Sequence, residues 1–163
     1  GGFGARFEKI CETHGIDFTS VEVPMDEDLT AEMLMAYENC GYTGLLVNIH
    51  ETSIGKLYDV KMLGEFCKRN NVFFVVDAIS SVFIDYISVQ EHNIDALIFS
   101  SQKALSLSPG MAGIVLSERM VKERVLVNQV HSIYFDFKDY IINFGNNLDR
   151  IFCCRIIYCL FVH

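Results

Sequence analysis

Helices on both faces of a mostly parallel sheet, a three-layer α/β/α arrangement, is the fold the order of sequence signals predicts. Helical and strand-like periods alternate from about residue 5 to about residue 130. Several apolar runs are too short for anything but strands. The strongest of them, "VFFVVD", is β-branched and aromatic and is closed by an acid.

In order, "ARFEKICETH" sets Phe7, Ile10 and Cys11 on one helical face, with Gly15 as its stop. "DFTSVEV" alternates like a strand and ends at Pro24. Thr30 is placed to cap a helix over "AEMLMAYEN", in which Met33, Leu34 and Tyr37 share a side. "GLLVNIH" reads as a strand covered on both faces. Leu57, Val60, Leu63 and Cys67 then recur at helical spacing, followed by "VFFVVD", a short helical or turn segment "SVQEHN", the strand "DALIFS" and the strand "AGIVLS". A helix is expected from Glu118 to about Gln129, and beyond about residue 130 the pattern weakens.

The 163 residues suffice for one domain with a core. An apolar content of 51% with 21% charged residues leans towards much buried surface, an interface included. The net charge of −8, without a basic run, argues against nucleic acid as a partner. Six cysteines show no C-x-x-C pair and no histidine at ligand spacing, so free thiols in a reducing cytosol, and a cytoplasmic location, are expected. No membrane span is expected: the closing "IFCCRIIYCLFVH" has only 13 residues and contains Arg155. The chain opens "GGFGARF" without a methionine, at what reads as a loop entering a helix, and the expectation is part of something longer.

In parallel sheets, ligands bind beyond the carboxyl ends of the strands. Those ends carry His50, Glu51 and Thr52; Asp77 with Ser80 and Ser81; and Ser100, Ser101, Gln102 and Lys103. Lys103 is the only charge between Asp95 and Glu118, beside apolar runs on both sides, so a desolvated ammonium is expected there. An acid and a lysine so placed can be a buried ion pair. They also match a chemical use: a desolvated lysine forms a Schiff base with an aldehyde, and pyridoxal 5′-phosphate needs such a lysine, a carboxylate for its pyridine nitrogen, and donors for its phenolate oxygen and phosphate.

"VVDAISSV" and "NIDALIFSSQKALSLSPGMAGIVLS" resemble the class V branch of the fold-type I pyridoxal-phosphate aminotransferases, which includes alanine– or serine–glyoxylate and 2-aminoethylphosphonate–pyruvate transaminases. "HETSIG" resembles that family's H-x-E-T/S-T/S-T-G turn and "GGFGARF" its N-G-x-F-G-x-R segment, in the same order through about residue 130. The resemblance implies that Lys103 is the covalent anchor of the cofactor and the proton shuttle at the substrate Cα. It implies that Asp77 pairs with the pyridine nitrogen, that Thr52 contacts the phenolate oxygen, and that Gln102, with Ser81, contacts the rim or phosphate side. Glu51 and His50 could equally be packing residues, and Pro109 and Gly110 shape the turn after the lysine. Asp85, Glu91 and His92 read as surface residues.

By the same resemblance the function is transamination from an amino acid or primary amine to a keto acid such as pyruvate or glyoxylate, in a protein that is a homodimer at full length. Residues 1–148 would be part of the cofactor-binding large domain and residues 149–163 an apolar tail unlike the family. Ile54 stands where the family has a hydroxyl, and the small-domain arginine for a substrate carboxylate has no counterpart here. Two alternatives stay open: a lyase or cysteine desulfurase-like relative, disfavoured because Gln102 rather than a histidine precedes Lys103, and a non-catalytic remnant or binding subunit.

Overall fold

The computed structural model describes residues 2–144 and 152–154. Helix α1 spans Gly4–His14 and ends at Gly15, whose φ of 64° is the left-handed turn a glycine makes without strain. Helix α2 covers only Ala31–Met35, capped by Thr30 Oγ1, which accepts from Met33 N at 3.4 Å. The longer helix expected here stops because its ladder tightens: Tyr37 N and Glu38 N bond three residues back, to Leu34 and Met35 carbonyls, and Asn39 then turns to positive φ.

Strand β1 is Gly44–Asn48, and the short strands β2 (His50–Glu51) and β3 (Lys56–Leu57) form an antiparallel hairpin. Helix α3, Val60–Asn70, begins at Asp59, whose carboxylate accepts from Met62 N at 2.9 Å; Leu57 therefore falls in β3 and not in the helix. Strands β4 (Phe73–Asp77), β5 (Ala96–Ser100) and β6 (Ala112–Leu116) follow as the sequence predicts. Helix α4, Glu118–Met120, widens into a π-helical turn over Val121–Val125, where Leu126 N donates to Val121 O and both valines stay buried. Helix α5 is Phe137–Phe144 and strand β7 is Phe152–Cys154.

The main sheet runs β1-β4-β5-β6-β7. β1, β4 and β5 are parallel, whereas β6 and β7 join antiparallel. Each face has its own core. Phe74, Val76 and Leu97 pack with Leu34, Leu63, Phe66 and Cys67 on one side, and Phe73, Val75 and Ala96 pack with Met120, Val121, Val125 and Phe137 on the other. The alternation along "FFVV" is the strand period of two, buried on both faces, which is why that run has no polar position. Burial and then the Asp95 charge push the Cys67 thiol up to about 12, so this cysteine is an inert part of the core.

Two expectations fail. "DFTSVEV" forms no strand: Val21 and Val23 are half-buried, but no backbone ladder joins the segment among the described residues, and alternation without a partner strand does not make a sheet. His92 is buried, not a surface residue; its Nδ1 accepts from Ser88 N at 3.2 Å and Tyr86 lies edge-on at 5.9 Å. Glu91 is exposed, and Asp85 is half-buried. Apart from β7, the tail from residue 149 lies outside the described residues.

The backbone of His92 explains Gly64 in the middle of α3. A Cβ there would sit 1.8 Å from the His92 carbonyl oxygen, so helix and loop touch backbone to backbone. Gly64→Ala is expected to destabilise the chain by about 2 kcal/mol through overpacking, despite the better helix propensity of alanine. The urea midpoint, at unchanged slope, is the measurement; an equal or higher midpoint would contradict this packing.

Candidate active site

The carboxyl ends of the three parallel strands open into one cleft of about 600 Å³. Asn48, Asp77 and Ser100 come from the ends of β1, β4 and β5, and Gln102 and Lys103 from the loop after β5. Helix α1 and its approach add Phe3, Arg6, Phe7 and Ile10, so the opposite wall is mostly apolar. Pro109, Gly110 and Met111 close the rim.

Asp77 is half-buried, and burial raises its pKa above the usual carboxylate value. Three influences oppose that: Ile79 N donates to Oδ1 at 3.0 Å, Asn48 Nδ2 donates to Oδ2 at 3.2 Å, and the Arg6 charge favours the anion. The chain thus keeps a reluctant carboxylate at the cleft and gives each of its oxygens a donor.

Lys103 lines the same cleft but is exposed, as is Gln102. The desolvated ammonium expected from its apolar neighbours is not found. Ala96–Phe99 are buried or half-buried because they form β5, and the chain leaves the sheet at Ser100, two residues before Gln102. The loop carrying the lysine is stitched by Ser101, whose Oγ donates to Ser108 O at 2.7 Å while its backbone bonds Met111 and Leu107. Gly110, with φ of 131°, supplies a turn that a side chain would strain.

Thr52 is exposed at the hairpin turn, outside the lining of the cleft. Ser81 is fully buried, and its Oγ, like that of Ser100, has no hydrogen-bond partner among the described residues. Glu51 is buried and accepts from Ser53 Oγ at 2.7 Å and Ser53 N at 3.1 Å, bonds that lower its pKa. His50 Nδ1 lies 3.3 Å from Ser80 O. The structure therefore unites Lys103, Asp77 and Gln102 at one cleft and sets Thr52 and Ser81 outside its lining. Asn48 and Arg6 were not singled out from the sequence. A signal for Asn48 did exist: it is the polar residue closing an apolar strand that pairs with the acid-ended one.

An acid, an amine and a hydroxyl without a partner among the described residues stand at the carboxyl edge of a parallel sheet, where α/β domains bind their ligands. The sequence model of Aminotransferase class-V matches residues 5–129, and the chain belongs to that family. It is 31% identical over 121 residues to the (S)-ureidoglycine–glyoxylate transaminase of Bacillus subtilis, covering 74% of this chain and 29% of that protein. It is 33% identical over 144 residues to the 2-aminoethylphosphonate–pyruvate transaminase of Pseudomonas putida, covering 85% of this chain and 38% of that one. The crystal structure of alanine–glyoxylate aminotransferase from Nostoc sp. superposes with a TM-score of 0.79 at 25% identity, over 91% of this chain and 40% of that chain. The chain spans about a third of the length of the curated relatives it matches. Class V aminotransferases are pyridoxal-phosphate enzymes of fold type I. No helix among the described residues is long and apolar enough to cross a membrane.

The sign of the Asp77 shift sets a pH dependence. A carboxyl with a raised folded-state pKa binds its proton more tightly when folded, so its contribution to stability is greatest below the usual Asp value. That contribution falls as pH rises through the usual value to the raised one. Urea unfolding across this window is expected to show a decline in the native chain that is missing from Asp77→Asn. Identical pH profiles in the two would contradict the burial of this carboxyl.

Proposed function

We propose that this chain carries the cofactor-binding core of a pyridoxal 5′-phosphate-dependent aminotransferase, acting on an amino acid or primary amine and a keto acid such as pyruvate or glyoxylate. The observation that carries the reading is the shared cleft of Lys103 and Asp77 at the ends of β5 and β4. The residues present fit the cofactor. A half-buried carboxylate suits a protonated ring nitrogen, the apolar side chains of Phe7, Ile10 and Ile98 suit a flat ring, and the orphaned Ser100 Oγ lacks a partner that a polar substituent could be.

When bound, the cofactor supplies an electron-withdrawing ring that takes up the electron pair left as a proton leaves the substrate Cα. Asp77 holds the ring nitrogen protonated through a charge-assisted hydrogen bond. Lys103 Nζ would anchor the cofactor and, once free, would carry the proton at the substrate Cα. Exposure of Lys103 leaves its amine free to reach both positions. In this reading Gln102 and Ser81 serve the rim or phosphate side and Thr52 the phenolate oxygen. Residues 1–148 are taken as part of the large domain and residues 149–163 as an apolar tail unlike the family.

The relatives' names support the acceptor class: glyoxylate for the Bacillus protein and pyruvate for the Pseudomonas one. The net charge of −8 supports a small-molecule substrate over nucleic acid, and the three described cysteines, all free, agree with a cytoplasmic setting. A homodimer belongs to the same reading, supported by Phe83, Ile84 and Tyr86, which stand exposed in the loop after β4.

Borohydride reduction after incubation with pyridoxal phosphate tests it. The expected result is a visible absorbance band removed by reduction, with the pyridoxyl mass on the Lys103 peptide and neither signal in Lys103→Ala. A folded chain that gives no band, or labels its surface lysines as readily as Lys103, would overturn the reading.

A further inference from the structure

Asn48 has no task in the chemistry described so far, yet its placement is specific. It closes β1, whose other residues, Gly44–Val47, are apolar or glycine, and in the parallel register it stands opposite Asp77. Paired residues on neighbouring strands share a face of the sheet, and both side chains line the cleft. Its amide is fixed at both ends. Nδ2 donates to Asp77 Oδ2 at 3.2 Å, and Oδ1 accepts from His50 N at 3.2 Å. A flipped amide would set oxygen against carboxylate and NH2 against an N–H, so both contacts select one orientation.

With Ile79 N on Oδ1, the Asp77 carboxylate then holds one donor per oxygen, and each oxygen keeps a lone pair for something else. The choice of an amide has a consequence that a cation would not. A lysine or arginine in hydrogen-bond contact would neutralise Asp77, whereas a neutral donor steadies the anion and leaves its charge for an incoming cation. We propose that Asn48 is a positioning residue that locks the Asp77 carboxylate in one plane, ionised and open towards a cationic ring N–H, an inference that rests on the cofactor reading above.

The groups facing Asp77 set the background against which this acts. Arg6 from α1 favours the anion, Lys103 lines the same cleft from the loop after β5, and His50 follows Asn48 on the chain. Replacing Asn48 leaves the Arg6 and Lys103 charges in place and removes the acceptor of His50 N.

The test is a carbon-13 NMR titration of the Asp77 carboxyl in the cofactor-free chain, in the native sequence, Asn48→Leu and Asn48→Thr. Leucine keeps the volume and removes the donor; threonine keeps a donor hydroxyl. The expected result is a midpoint about one pH unit higher in Asn48→Leu, with Asn48→Thr between the two. Pyridoxal-phosphate affinity, read from the visible band, is expected to fall about tenfold in Asn48→Leu, in line with one hydrogen bond to a charged group. An unchanged Asp77 midpoint in a folded Asn48→Leu sinks the proposal. If the leucine variant does not fold, a midpoint in Asn48→Thr equal to the native one, with equal affinity, sinks it as well. A native chain that binds no pyridoxal phosphate overturns the cofactor reading instead, and the Asn48–Asp77 coupling is then judged by the midpoint alone.

Discussion

The geometry of the cleft depends on a carboxylate at the other end of the sheet. Asp95 is 5% exposed, immediately before β5. Its Oδ2 accepts from Phe74 N at 3.0 Å, its Oδ1 from Ser117 Oγ at 2.7 Å, and Arg119 stands 3.6 Å away while covering the Phe73 ring at 4.1 Å. The start of β4, the start of β5 and the end of β6 are thereby tied to one side chain, through charge-assisted bonds in a buried setting. This clamp sets the register of β4 on β5, Val75 against Ala96 and Asp77 against Ile98. A slip of one residue would turn Asp77 to the opposite face of the sheet, away from Asn48 and Lys103. The acid in the site is aimed by the acid that is not.

From that register the rest of the site follows with little freedom. Three parallel strands must end on the same edge, so Asn48, Asp77 and Ser100 arrive together whatever the loops between them do. The edge is a poor solvent for a carboxylate, and the donors from Ile79 and Asn48 partly offset the burial that disfavours its charge. Ser81 and Ser100 go the other way: their buried hydroxyls have no partners among the described residues, a cost native chains rarely carry without a use. Strength of burial and incompleteness of bonding coincide at the same edge of the sheet, which is what a site made to receive a polar group requires.

How far the sequence discloses this depends on what each residue answers to. "VFFVVD" is legible because both faces of β4 are buried, so every position reports the same environment until the strand reaches the cleft. The α1 face is legible through helical spacing instead: Phe7 and Ile10 are half-buried and Cys11 is buried, on one side of an otherwise more exposed helix. "DFTSVEV" misleads because alternation records exposure on one side and says nothing about whether a neighbouring backbone is in reach. Lys103 misleads differently: sequence neighbours stand in for spatial ones only within an element, and β5 ends before the lysine. His92 is hidden because a buried histidine in a turn is bonded by backbone, through Ser88 N, and no sequence pattern marks that bond. Asp77 and Lys103 could be named together from residue type and strand order, whereas Asn48 needs the register, which only the pairing of β1 with β4 supplies.

The lysine and the acid of the cleft also differ in how firmly they are held, and the difference suits their work. Asp77 sits on a strand end, bonded through both oxygens, and cannot swing away without losing both bonds. Lys103 sits on a loop braced at Ser101 and turned at Gly110, and its own side chain is exposed. A group that must keep one atom protonated gains from rigidity, because any displacement weakens a directional bond to a charge. A group that must let go of one partner and reach another gains from rotamer freedom on a steady backbone. The fold puts the first kind of residue where the sheet ends and the second kind just beyond it. The same division accounts for the donor placed on each oxygen of the carboxylate.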